Sequence, residues 1–205
     1  ISVCLVGSEM CIRDSLISLD QSEYRSLDAK SYDREKRRLR IELLKLQEDV
    51  IKNNRKLCII FEGRDTAGKS TAIRFFSEYL RPQHFNYVQL GIPTKWESSH
   101  WFQRWGKALP RKGEISFLDR SWYTRAITEP IMGYCSENQY RSFMKKVNKW
   151  EDEQMDNGVE LTKFYFSLSK DQQEIRMKAR KNSELKYWKL SKNDVQIITK
   201  CNAFT

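Results

Sequence analysis

Leu57-Cys58-Ile59-Ile60-Phe61-Glu62-Gly63-Arg64-Asp65-Thr66-Ala67-Gly68-Lys69-Ser70-Thr71 joins an apolar run to a glycine-framed loop, and its reading decides the fold. Gly63, Gly68, Lys69 and Ser70 fit G-x-x-x-x-G-K-[ST], in which backbone N–H groups wrap phosphate, the lysine reaches the outer phosphates and the hydroxyl meets Mg²⁺. Cys58 to Phe61 has the pattern of a short buried strand, and Ser70 to Ile73 opens a helical one, so the loop sits between a strand and a helix N-terminus. The alternative is an ordinary glycine-rich turn, which requires no such flanks. Asp65 inside the loop is informative. A carboxylate beside bound phosphates repels them by about 1 kcal/mol at ~4 Å even in water, so it is tolerable there if a cation lies between. Asp65 therefore reads as a metal-handling residue with Arg64 as a neighbouring counter-charge; the competing reading is that it only shapes the turn.

Around this motif, 205 residues suit one α/β domain with a real core. The net charge of +10 and pI near 9.4 call for an acidic partner, and nucleic acid, an anionic membrane and an inorganic polyanion all qualify. Cys4, Cys11, Cys58, Cys135 and Cys201 are scattered and lack the paired spacing of zinc or redox motifs, which fits a reducing cytoplasm. His84 and His100 lie far apart, without ligand spacing. No run of apolar residues is long enough to span a bilayer.

Residues 1–15 look unlike the rest and resemble translated sequencing-adapter read-through, so they are expected to be a non-native leader ahead of a domain over 16–205. Leu39, Leu43, Leu46 and Val50 share one face of a helix expected over 31–53. Its basic residues Arg34, Lys36, Arg37, Arg38 and Arg40 form either a polyanion-facing patch or, with more weight, a solvated face. The core is expected over 56–168. Its first helix runs on from the loop until Arg81-Pro82, and Phe85 to Leu90 forms a second strand. Ser98 to Leu109 is expected as one helix carrying Trp101, Phe102 and Trp105, which read as core sooner than as a base-stacking platform.

Glu114 to Asp119 is an apolar strand ending in a carboxylate, the Walker-B arrangement, in which the acid holds Mg²⁺ or its waters beside the phosphate loop. Arg120 and Arg125 follow at once, and phosphoryl transfer needs cations around the moving group. Ser136 with Gln139 caps a long helix to about Asn157, Leu161 to Leu168 is a fourth strand, and Ser169 with Gln172 caps another helix. Arg176 and Arg180 share a face of that helix. They read either as a lid closing on phosphates, expected over 169–193 and extended by Lys181, Lys186 and Lys189, or equally as a solubilising surface. A last cap at Ser191 and Asp194 precedes a stretch too short for another βα unit, so the C-terminus is expected to be incomplete.

Taken together, Phe61-Glu62-Gly63-Arg64-Asp65 with Ala67-Gly68-Lys69, Trp101-Phe102-Gln103-Arg104, Leu118-Asp119-Arg120-Ser121-Trp122-Tyr123 with Arg125-Ala126, Met132-Gly133-Tyr134-Cys135 and Trp188-Lys189-Leu190-Ser191 resemble the type-2 polyphosphate kinases. The resemblance covers about Tyr32 to Asp194. It implies an α/β, three-layer P-loop kinase of thymidylate-kinase-like fold, with a parallel sheet, helices on both faces and a basic helical lid, truncated at its C-terminus. It also implies Mg²⁺-dependent phosphoryl transfer, with Mn²⁺ as a substitute, between inorganic polyphosphate and a nucleotide such as ADP or GDP, giving ATP or GTP. By motif, Asp65 and Asp119 would handle metal, Lys69 would clamp phosphate, Arg120 and Arg125 would be site cations, and Arg176 and Arg180 the lid. The phosphate- and nucleotide-binding set would be Gly63, Arg64, Thr66, Ala67, Gly68, Lys69, Ser70 and Thr71, with Lys189. A metal role for Ser70 rests on the general P-loop pattern, because this family often has glycine there. A cytoplasmic homo-oligomer that engages neither membrane nor nucleic acid is the matching expectation. Its rivals are an ATP-dependent P-loop nucleotide or metabolite kinase and a basic P-loop ATPase acting on nucleic acid.

Overall fold

The computed structural model describes residues 2–5, 17–18, 27–185 and 187. The motif strand is the middle of the architecture. In chain order the elements are β1 (Ser2–Leu5), β2 (Ile17–Ser18), α1 (Ala29–Lys52), β3 (Lys56–Gly63), α2 (Lys69–Ser77), a 3-10 turn (Pro82–His84), β4 (Phe85–Val88), α3 (Lys95–Ser99) and α4 (Trp101–Gly106). They continue with β5 (Glu114–Asp119), α5 (Thr124–Met132), α6 (Glu137–Asp156), β6 (Val159–Ser167) and α7 (Lys170–Lys181). Among the described residues the sheet has six strands, in the order β2-β1-β6-β3-β5-β4. Neighbours β6, β3, β5 and β4 are all parallel, while β1 pairs antiparallel with both β6 and β2. Because the chain leaves β3 through α2 and skips a position to form β4, β5 later fills the gap beside β3. That reversal is the crevice where parallel sheets bind ligands, at the carboxyl ends of the strands.

The alternation of β3 splits the core into two. Leu57, Ile59 and Phe61 face one way and pack with Ile73, Phe117, Phe166 and the partly buried Leu43, Leu44 and Leu46 of α1. Cys58 and Ile60 face the other way, onto Trp101, Trp105, Leu118, Trp122, Phe143 and Val147. Two apolar layers around one sheet are the three-layer arrangement expected of a parallel α/β domain. Aromatic rings fill much of the first layer: Phe61 lies 5.3 Å from Phe164 in a stacked pair and 5.4 Å from Phe76 edge-on. α1 is tied to the far side of α2 by Gln47, whose buried amide bonds the backbone N–H and carbonyl of Arg81 at 2.8 and 3.0 Å.

Several boundaries differ from the sequence reading for identifiable reasons. α1 starts at Ala29 because the Asp28 carboxylate accepts from the Ser31 amide at 2.7 Å. Leu39 stands 46% exposed, so the buried face is Leu43, Leu44, Leu46 and Val50. α2 ends at Ser77, well before Arg81-Pro82, and β4 stops at Val88 and not at Leu90. The helix expected over 98–109 is two: Thr94 and Glu97 form a capping box that starts α3 early, and the chain breaks at His100 before α4. Trp101 and Trp105 are indeed core. α5 (Thr124–Met132) has no counterpart in the sequence expectation. The expected cap at Ser191 and Asp194, and the lid beyond 187, lie outside the described residues.

Candidate active site

The loop is aimed by its two glycines. Gly63 has φ 129° where β3 meets β6, and a Cβ there would lie 2.3 Å from the Phe166 carbonyl oxygen. Gly68 has φ 109° and starts α2 with no side-chain cap, which leaves the first amides of that helix to an anion. Between them Thr66 also takes a positive φ of 66°. The loop folds tightly, the Ala67 N–H donating to the Arg64 carbonyl at 3.2 Å.

Register brings the second acid to the loop. Phe61 of β3 pairs with Asp119 of β5, so the carboxylate stands at the strand ends beside the loop. Ser70 donates its hydroxyl to Asp119 Oδ2 at 2.5 Å, and Tyr87 of β4 donates to the same oxygen at 3.0 Å. Lys69 is buried, and its ammonium donates to the carbonyls of Gly63 and Arg64 at 2.9 and 3.0 Å. Arg120 forms an ion pair with Asp65 across the loop mouth. Arg176 reaches in from α7 and donates to the Thr66 carbonyl at 3.1 Å. Thus Asp65, Lys69, Ser70, Asp119, Arg120 and Arg176 converge on one loop.

The other expected residues are placed differently. Arg125 is 1% exposed and turns into the protein, with its guanidinium 4.1 Å from the Trp101 ring centroid and an Nη2 bond to the Ser98 carbonyl at 3.0 Å. Its Nε lies 2.8 Å from Glu129 Oε2, a buried ion pair not aligned as a hydrogen bond. Arg180 lies one turn beyond Arg176 on α7, and Thr71 is exposed on α2. Lys189 lies outside the described residues. Of the basic run in α1, Lys36 lies over the ring of Phe75 in α2 and Arg40 over that of Tyr79 just past its end, each at 4.8 Å, and Arg40 also pairs with Glu78.

Sequence reasoning passed over Glu62 and Tyr87. Glu62 is buried, and one of its oxygens accepts both the backbone N–H and the hydroxyl of Ser121 at 2.6 Å. Burial pushes its carboxyl above the ordinary range, against the pull of Ser121, Lys69 and Arg120. An acid closing an apolar strand was the available signal. Tyr87 is 47% exposed, yet partial desolvation of its phenol and the Asp119 charge raise its pKa to about 12; nothing in the sequence pattern marks it. Burial, with Arg120 nearby, lowers the Lys69 pKa, while Asp65, Asp119 and Glu62 oppose that shift. Burial also works against the Arg120 charge, but Asp65 and Glu62 outweigh it and hold that guanidinium more firmly protonated. The mouth of the loop therefore alternates cations and carboxylates, a mixed-charge arrangement of the kind that clusters at functional sites.

A parallel sheet with a phosphate loop at its switch point and an acid on the adjoining strand defines a P-loop protein of the kinase-like α/β class. The family model for polyphosphate kinase 2 (PPK2) matches residues 26–205, and the chain belongs to that family. It is 41% identical over 175 residues to a GDP-polyphosphate phosphotransferase of Pseudomonas aeruginosa, covering 85% of this chain and 49% of that protein. It is 39% identical over 180 residues to an ADP-polyphosphate phosphotransferase of the same organism, covering 87% of this chain and 59% of the relative. The chain thus spans about half the length of these relatives. A crystal structure of a putative polyphosphate kinase 2 from P. aeruginosa superposes with TM-score 0.79 at 27% identity, covering 88% of this chain and 40% of that one.

Proposed function

We propose that this chain carries the machinery for Mg²⁺-dependent, reversible transfer of a terminal phosphoryl group between inorganic polyphosphate and a nucleoside diphosphate, ADP or GDP. The observation that carries the reading is the convergence of Lys69, Arg120 and Arg176 with Asp65 and the Ser70–Asp119 pair on a single loop. The names of the relatives support polyphosphate and a nucleotide as the two substrates. The net charge of +10 suits two polyanionic substrates.

The donor set fits a hard divalent cation. Asp119, Ser70 and Asp65 offer only oxygen, and among the described residues no group of three or more His, Cys, Asp or Glu is arranged to hold a metal by itself. That is the pattern of Mg²⁺, which keeps its waters and is shared between one or two carboxylates and substrate phosphates; Mn²⁺ accepts the same ligands. Asp119, Ser70 and Asp65 would hold the ion, which would supply positive charge to the substrate phosphates. Lys69 exchanges its two carbonyl partners for phosphate oxygens, so that the acceptor as well as the donor is charged. Arg120 and Arg176 neutralise the equatorial oxygens from either side, with Arg180 extending that face. Transfer is direct and in line, and no side chain acts as a nucleophile. The site acts by position and charge.

Among the described residues no helix is long and apolar enough to cross a membrane. A cytoplasmic homo-oligomer is the proposed setting. Donor choice tests the activity: purified chain with Mg²⁺ and GDP or ADP should form the triphosphate from polyphosphate. Formation from ATP with no use of polyphosphate would assign it instead to the nucleotide kinases.

A further inference from the structure

We infer that Glu151, a residue of α6 outside the loop, is a positioning residue that sets the backbone turn carrying Arg120, acting through Trp122 and Tyr123. The inference rests on the reading of Arg120 as a site cation. Arg120 has φ 72°, a left-handed conformation that a residue with a Cβ adopts only at a cost. Such a residue persists only where its surroundings over-determine it.

The turn is held from both sides by buried carboxylates. On the incoming side Arg120 N–H donates to the Phe61 carbonyl at 3.0 Å, and Ser121 donates twice to Glu62. On the outgoing side the indole N–H of Trp122 and the hydroxyl of Tyr123 both donate to Glu151 Oε1, each at 2.7 Å. A single oxygen thereby fixes the side chains of two consecutive residues. Glu151 is 0% exposed, and its other oxygen accepts from Lys163 of β6 at 2.8 Å. The Trp122 carbonyl in turn accepts from the Trp101 indole at 3.0 Å.

Stability is a poor explanation for this cluster. An ion pair in an apolar layer loses so much hydration that well-packed hydrophobic residues often serve as well or better. What the pair supplies is direction: an acceptor at a fixed point between α6 and β6 against which Trp122 and Tyr123 are registered. The residues from 120 to 123 are then pinned at the Phe61 carbonyl, at Glu62 and at Glu151. That fixes the backbone position from which the Arg120 guanidinium reaches Asp65.

The test is a double-mutant cycle on the full chain. Glu151→Gln keeps the size of the side chain but faces Lys163 with an amide. Misplacing a catalytic group by about 1 Å costs on the order of 10²-fold, so kcat should fall about 30-fold with both KM values within about twofold. In an Arg120→Ala background the same substitution should cost less than about twofold, because the residue it acts through is gone. Tyr123→Phe removes one hydroxyl without disturbing packing, and should lower kcat about fivefold in the same sense. An equal loss in both backgrounds, or kcat within about twofold in folded Glu151→Gln and Tyr123→Phe proteins, overturns the inference. A readout without turnover separates it from the activity itself. The Arg120 and Ser121 amides should exchange with deuterium at least about tenfold faster in Glu151→Gln while β3 amides are unchanged, and unchanged exchange at Arg120 also overturns it.

Discussion

Gly63→Ala should damage the protein far more than Gly68→Ala, although both glycines frame the same loop and both have positive φ. At Gly63 the new methyl group would lie 2.3 Å from the Phe166 carbonyl oxygen and 3.0 Å from that residue's carbonyl carbon and nitrogen, where real Cβ atoms essentially never approach within 3.0 Å. All three neighbours are backbone, so no side chain can swing aside. β3 and β6 would have to part at the Gly63–Phe166 register pair. The backbone conformation costs about 1–3 kcal/mol for a residue with a Cβ, and forced separation of packed elements about 1–3 kcal/mol more. Together that is about 2–6 kcal/mol, a large share of the 5–15 kcal/mol typical of a domain. The midpoint of thermal unfolding should drop by about 10 °C. At Gly68 no atom of the described residues lies within 4 Å, so only the backbone term of about 1–3 kcal/mol remains. Urea and thermal unfolding of the two variants side by side give the comparison. A Gly63→Ala protein melting within about 2 °C of the parent, or one more stable than Gly68→Ala, would refute the reasoning.

Glu129→Ala should cost about 3 kcal/mol in urea unfolding, because it leaves the Arg125 guanidinium buried beside Trp101 without its counter-charge. Stability should also carry the mark of Glu62. Its folded pKa is raised, so the native state holds a proton that the unfolded chain releases, and stability falls as pH rises from the ordinary glutamate value of 4.5 through the elevated one. Glu62→Gln should flatten that part of the pH profile while its amide oxygen still accepts from Ser121; an unchanged slope would remove Glu62 as the cause. Arg176→Ala should raise KM for polyphosphate about tenfold, with the melting midpoint within about 2 °C. An unaltered KM would detach α7 from the site.

The fold was largely written in β3 and the loop. Alternating apolar residues, a glycine frame and a helix start leave few topologies, and the Walker-B-like strand supplies a neighbour with its acid at the correct end. What the sequence could not show is which way a cation turns. Arg120 and Arg125 look equivalent as neighbours on a line, yet Arg120 meets Asp65 across the loop and Arg125 is drawn into the core by Glu129, four residues on. Tyr87 was invisible for a related reason: only strand order brings β4 beside β5, and with it a phenol to Asp119. Thr94 and Glu97 went unread as a cap, because the aromatic spacing of the following residues points to one helix and masks the break at His100.

The most direct test compares the parent chain with Asp119→Asn by phosphorus NMR, in polyphosphate, Mg²⁺ and GDP or ADP. The account predicts growth of the triphosphate signal with matching loss of polyphosphate, slowed at least ~10²-fold in a folded Asp119→Asn protein. Equal rates for the two proteins would contradict it.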